Sequence, residues 1–265
     1  MRRRMIALAA LAALALGAQP RTALAQTEQT LVDRAALTVG EMLGSGDPNV
    51  LRDATQMLAQ SRAVIICPRI FRAGFLFGGQ GGDCVLMARD GAGSWSSPAF
   101  YTIGSASFGL QIGVQDMQVM MMVLTDKGLG AVMDSQIKIG ADAAIALATI
   151  GGGIAGATTA AVGADIVSYA RTRGLYAGIS LEGSLLSSRS DFNTGYYGRP
   201  LGTRQIVIDM QAHNPAADPL RAALMRFSAP GGGMAPSPMA AAPAGPGQMQ
   251  IQPAPTGGVM RETLR

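Results

Sequence analysis

The 265-residue sequence predicts an α+β fold: a strongly curved antiparallel β-sheet or barrel with N-terminal helices packed on it. Three observations predict it. Apolar residues recur at helical spacing through residues 28–62. Short apolar runs separated by turn residues then fill residues 63–208. Glycine is abundant, 35 residues in all, and recurs inside the strand patterns, where it permits bends and bulges. A hydrophobic content of 48% against 14% charged residues supplies enough apolar surface for a core and excludes disorder throughout.

The N-terminus reads as an address. Arg2, Arg3 and Arg4 precede an uncharged apolar run, Met5 to Ala18, and Ala23-Leu24-Ala25 offers the small residues of a cleavage site. Residues 1–25 are therefore expected to be a signal peptide cut before Gln26, sending the chain to the periplasm or outside the cell. The apolar run of 14 residues is shorter than the ~20 a membrane span needs. Four arginines and no acid lie in residues 1–25, so removing them takes the formal charge from +4 to zero. No long-range field then remains to draw in nucleic acid.

Residues 26–227 form the expected domain. Leu31, Ala35 and Val39 share one helical face. Gly44 to Pro48 interrupts it, and Leu51, Ala54, Met57 and Leu58 resume it, giving two helices with Asp47 as N-cap before Pro48. Ala63–Cys67 reads as a short buried strand ended by Pro68. Gly74–Gly78 and Cys84–Ala88 read as strands separated by the glycines of residues 78–82, and Asp90-Gly91 with Gly93 as a turn. Residues 99–113 read as strands joined by a bend at Gly104-Ser105-Ala106. Val119–Leu124 is a continuous apolar run, as in a strand covered on both faces. One short helix fits within residues 127–136. Residues 175–182 alternate with period two, Gln205–Ile208 reads as a last strand, and Asp218–Phe227 as a helix. The uncharged stretch of 143–164 carries five glycines and few large apolar side chains, which favours a buried hairpin over a membrane span. Residues 228–265 hold seven of the fourteen prolines and read as a flexible Pro/Gly/Met-rich tail.

Catalytic motifs find little support. One histidine, His213, is a poor basis for a triad or a metal centre. Gly151-Gly152-Gly153-Ile154-Ala155-Gly156 fits a dinucleotide-binding pattern, but no acid follows at the required distance. Ser135 and Lys138 have the S-x-x-K spacing of penicillin-recognising enzymes without the companion K-T-G and S-D-N elements. No enzyme activity, cofactor or metal is expected. Cys67 and Cys84 leave two readings open: a disulfide in an oxidising compartment, or two buried thiols acting as small hydrophobes. Arg69 and Arg72 flank Phe71, with Phe75 and Phe77 beyond. Cations beside exposed aromatics suit a phosphate headgroup with its acyl chains. The plainer reading is solvated arginines over core phenylalanines.

Four separated stretches carry a resemblance: residues 68–79, Gly82 to Leu86, Trp95 to Tyr101, and Ser107 to Gly113. Later segments agree, namely Gly140 to Ala143, Tyr169, Gly174 to Gly183 and Asn193 to Gly198. Over a core of residues 35–210 the chain resembles the SYLF domain, a lipid-binding module of bacterial proteins and of eukaryotic actin-patch proteins. Cys84 departs from the glycine usual in the family, and neither an SH3 nor a FYVE-type domain accompanies it here. The resemblance implies phospholipid or membrane-surface binding without catalysis. The expected contact residues are Arg69, Phe71, Arg72 and Phe75, then Arg171 and Arg173. Trp95, Pro98, Phe100, Gly109, Gln111 and Gly113 are expected to be structural. The rival expectation is an envelope scaffold that binds an unassigned protein through the Pro-rich tail.

Overall fold

The computed structural model describes residues 20–75, 77–108, 113–149, 163–174 and 181–229. Two helices lead: α1 (Pro20–Gly44) and α2 (Pro48–Gln60). The Asp47 carboxylate caps α2, accepting from Asn49 N at 2.8 Å and Val50 N at 3.4 Å, while Pro48 occupies the first turn, where its missing N–H costs nothing. Strands β1 (Ala63–Gly74), β2 (Phe77–Ala88), β3 (Ala99–Phe108) and β4 (Gly113–Val123) follow. After helix α3 (Asp126–Met133) come β5 (Gln136–Lys138), β6 (Ile145–Thr149), β7 (Ile166–Gly174) and β8 (Leu185–Ser188). Helices α4 (Ser190–Tyr197), α5 (Thr203–Val207) and α6 (Asp218–Ser228) close the described chain.

The eight strands among the described residues make one strongly curled sheet in the order β5-β8-β3-β2-β1-β4-β7-β6. Every pairing is antiparallel except β6 with β7, so the sheet is mixed rather than wholly antiparallel. Over the half that holds Val64, Leu86 and Met121 both its faces are covered, and strand alternation separates two cores. On one face Val64, Ile66, Val85, Met120 and Tyr169 pack with Val39 and Met42 of α1, Leu58 of α2 and Leu224 of α6. On the other Ile65, Leu86, Tyr101, Val119 and Met121 pack under Val132, Leu186 and Ile206. This double coverage explains the unbroken apolar run of β4, where Val119 through Val123 are fully buried.

Four expectations are corrected. Pro68 does not end β1. Cys67 opposes Val119 and Ile70 opposes Met117, so Pro68 and Arg69 together oppose one β4 residue in a bulge, the setting in which a sheet tolerates proline. The glycines at 78–82 do not separate strands; they lie within β2, paired throughout with β3. A Cβ at Gly82 would collide with the Arg69 carbonyl oxygen, so only glycine lets the bulged backbone come so close. Residues 104–106 form no bend, because β3 runs straight through them. Residues 205–208 form no strand. They belong to α5 and its cap, with the Gln205 side-chain oxygen accepting from Gly202 N at 2.8 Å. The alternating segment 175–180, most of the 143–164 stretch, residues 1–19 and the tail from 230 lie outside the described residues.

Cys67 and Cys84 are directly opposed across β1 and β2 and form a disulfide. Both are fully buried beside the bulge. Trp95 and Phe100 are buried. Trp95 lies under the Arg89 guanidinium at 4.5 Å, and the Pro98 carbonyl accepts from the Tyr197 hydroxyl at 2.6 Å. Gly113 starts β4, whereas Gly109 and Gln111 lie outside the described residues.

Candidate functional site

The bulge builds the site. An extra residue in β1 reverses which side chains face the helices: Val64 and Ile66 do so before it, Phe71 and Ala73 after it. Arg69, lifted out at the bulge, donates to Asp116 of β4 through Nε at 2.7 Å and a terminal nitrogen at 3.0 Å. This two-pronged contact holds the Asp116 carboxyl below its ordinary range, chiefly through the hydrogen bond. The Arg69 guanidinium also stands 5.6 Å from the centre of the Phe71 ring.

Arg171 of β7 is opposite Gln118 of β4 and therefore on the same face. It donates to the Glu41 carbonyl at 3.0 Å and to the Ser45 carbonyl at 3.3 Å, fastening the end of α1 to the sheet. Gln118 donates to the Glu41 carboxylate at 2.8 Å. Together these residues enclose a cleft of about 480 Å³ between α1 and the bulge, lined also by Arg34, Leu37 and Thr38. Its charged lining is three arginines, Arg34, Arg69 and Arg171, against Glu41 and Asp116.

Beyond the cleft the sheet ends in the β1–β2 turn. Phe75 is 64% exposed and Phe77 73%, with Phe71 at 45% and Val114 at 55% beside them. These are not core phenylalanines behind solvated arginines, and exposed aromatics gathered at one sheet end need an explanation that scattered ones do not.

Arg69 and Arg171 thus line one cleft, with Phe71 beside Arg69 on the same face, and Phe75 lies farther out at the β1–β2 turn. Arg72 does not join them. It is opposite Gln80 on β2 and Gln115 on β4, and those side chains belong to the other face. Arg69 and Arg72 do not form one cationic pair: Arg69, in the bulge, meets Asp116 on the helix side, and Arg72 lies on the opposite face. The Arg173 backbone is opposite Asp116, at a register position on the cleft side, and its side chain lies outside the described atoms. Sequence reading did not single out Asp116, Gln118 or Glu41 as site residues, because each acts through a partner at least 47 positions away. The Phe75-x-Phe77 spacing was the available signal for Phe77.

Motifs with catalytic resonance are not assembled. Ser135 precedes β5 and Lys138 is its last residue, so the two do not share a helical turn. His213 is exposed, its Nδ1 3.2 Å from the Arg221 guanidinium. Among the described residues no group of three His, Cys, Asp or Glu is placed to hold a metal ion, and no helix is long and apolar enough to cross a membrane.

Comparison with known proteins gives consistent matches. Residues 104–227 match the family model Ysc84, described as a Las17-binding protein actin regulator. An SH3 domain-containing protein of Schizosaccharomyces pombe is 32% identical over 168 residues, 62% of this chain and 39% of that protein. LAS seventeen-binding protein 3 of Saccharomyces cerevisiae is 29% identical over 154 residues, 57% of this chain and 34% of that protein. SH3 domain-containing YSC84-like protein 1 of Mus musculus is 29% identical over 139 residues, 52% of this chain and 41% of that protein. The chain spans about two-fifths or less of the length of these relatives.

Proposed function

We propose, from the premise that this chain belongs to the SYLF family, that it is a non-enzymatic domain that binds phospholipid membranes in the cell envelope. One observation carries the reading: Phe71, Phe75 and Phe77 are exposed together at the sheet end next to a cleft that carries Arg34, Arg69 and Arg171. Apolar rings supply affinity by leaving water, and guanidinium groups at their border suit phosphate. Export is supported by the basic, apolar and Ala-x-Ala order of residues 1–25. The Cys67–Cys84 disulfide supports it too, since such bonds persist in oxidising compartments. The isolated His213 and the unassembled Ser135–Lys138 pair support a binding role over a catalytic one.

A second reading has its own observation. The yeast relative is named for binding another protein. On that reading this chain is an envelope scaffold whose Pro-rich tail makes the contact. Deleting residues 228–265 separates the two. The membrane reading expects the truncated chain to sediment with phosphatidylcholine–phosphatidylglycerol vesicles as well as the full chain does. Loss of sedimentation on deletion would transfer the binding function to the tail.

A further inference from the structure

We propose, resting on the membrane reading above, that the bilayer seat is the uncovered half of the sheet's helix-side face, which takes the acyl-chain region of a phospholipid layer. The argument is the pattern of that half-sheet. α1 is fastened across the sheet at the level of Gln118 and Arg171. Past that level the helix-side positions, apart from Asp116, which is paired with Arg69, and the backbone position of Arg173 opposite it, are apolar or bare: Phe71, Phe77, Gly79, Ala106 and Val114 are all exposed. The opposite face at the same level is polar, with Arg72 set between Gln80 and Gln115. Gln80 is 9% exposed and Gln115 only 2%, and Gln80 donates to Ser184, itself fully buried, at 2.9 Å.

This is the reverse of a sheet whose free face meets water, where apolar side chains turn inward and polar ones outward. Apolar-out and polar-in alternation is the pattern of strands that face hydrocarbon. The glycines fit that role. A Cβ at Gly81 or Gly104 would meet nothing nearer than 3.7 Å, so packing within the sheet does not demand their bareness. A strip bare of side chains at these positions leaves room for acyl chains lying along it.

The border of the strip selects the occupant. Arg69 and Arg171 stand where the apolar face ends, and Arg34 faces them from α1. Cations at the rim of an apolar surface match the phosphate level of a lipid layer. A second copy of this chain would bring the same three arginines against its own.

Tryptophan reporters test the seat in the full chain, with the native Trp95, buried at the other end of the sheet, as a constant background. F77W and A106W place reporters on the strip. A92W places one in the turn after β2, away from it. Each is mixed with phosphatidylcholine–phosphatidylglycerol vesicles whose acyl chains are brominated, and co-sedimentation is measured in parallel. The expected result is emission reduced by about half for F77W and A106W and unchanged for A92W and the parent chain. Sedimentation with the vesicles but no quenching at 77 and 106 would overturn this seat and leave the membrane reading standing. Failure to sediment with any vesicle would overturn both. A lipid-free, concentration-dependent blue shift at 77 and 106, with dimers in sedimentation velocity, would assign the strip to self-association instead.

Discussion

Replacing Phe75 and Phe77 together by aspartate is expected to reduce vesicle affinity by roughly 100-fold. Full burial of one phenylalanine is worth about 1.5–3 kcal/mol, and a tenfold change in affinity corresponds to about 1.4 kcal/mol. Two rings that only partly enter the interface still reach the stated effect. Both are more than half exposed in the folded chain, so unfolding free energy should move by no more than about 1 kcal/mol. Arg69→Ala is the internal comparison. It removes an exposed pair with Asp116, and such pairs contribute at most about 1 kcal/mol to stability. If apolar contact dominates, its effect on vesicle affinity stays below about tenfold. Equal binding by the aspartate variant and the parent would show that the turn does not touch lipid.

The largest stability effect is expected from the cross-strand bond. Cys67 and Cys84 close a loop of 17 positions that includes the bulge and the whole β1–β2 turn. Chain-entropy arguments give about 3 kcal/mol for a loop of that size. The double variant Cys67→Ala, Cys84→Ala should therefore lose about 2–4 kcal/mol in urea unfolding, and reduction of the parent protein should reproduce most of that loss. Identical midpoints for reduced and oxidised protein would remove the disulfide from the account of stability, and with it one support for export.

Local chemistry with a short reach was legible in the sequence. Asp47-Pro48 announced the start of α2, and the spacing of Leu31, Ala35 and Val39 announced α1. The unbroken run at Val119 announced a strand buried on both faces. What was lost depended on partners distant in sequence. The four-residue run Gln205–Ile208 reads equally as strand or helix, and the Gly202–Gln205 hydrogen bond decides for helix. The glycines at 78–82 look like a break, yet pairing with β3 on one side and β1 on the other makes them strand.

The site suffered most from one feature. A bulge at Pro68–Arg69 shifts the phase of every following β1 residue. Phe71 therefore joins Arg69 on the helix side, while Arg72 turns to the polar row of Gln80 and Gln115. Proline marks such a place without saying whether the strand stops or bulges. The collision awaiting any side chain at Gly82 shows how closely the bulge is accommodated, and that contact joins positions 13 apart on neighbouring strands.

The central claim is that apolar contact, and not coulombic attraction, holds this domain to phospholipid. Co-sedimentation with phosphatidylcholine–phosphatidylglycerol vesicles across a salt series tests it most directly. Raising ionic strength from about 0.05 M to 0.5 M shortens the screening length to a few ångströms, and the bound fraction is predicted to fall by less than about twofold. Complete release by about 0.15 M salt would contradict the claim.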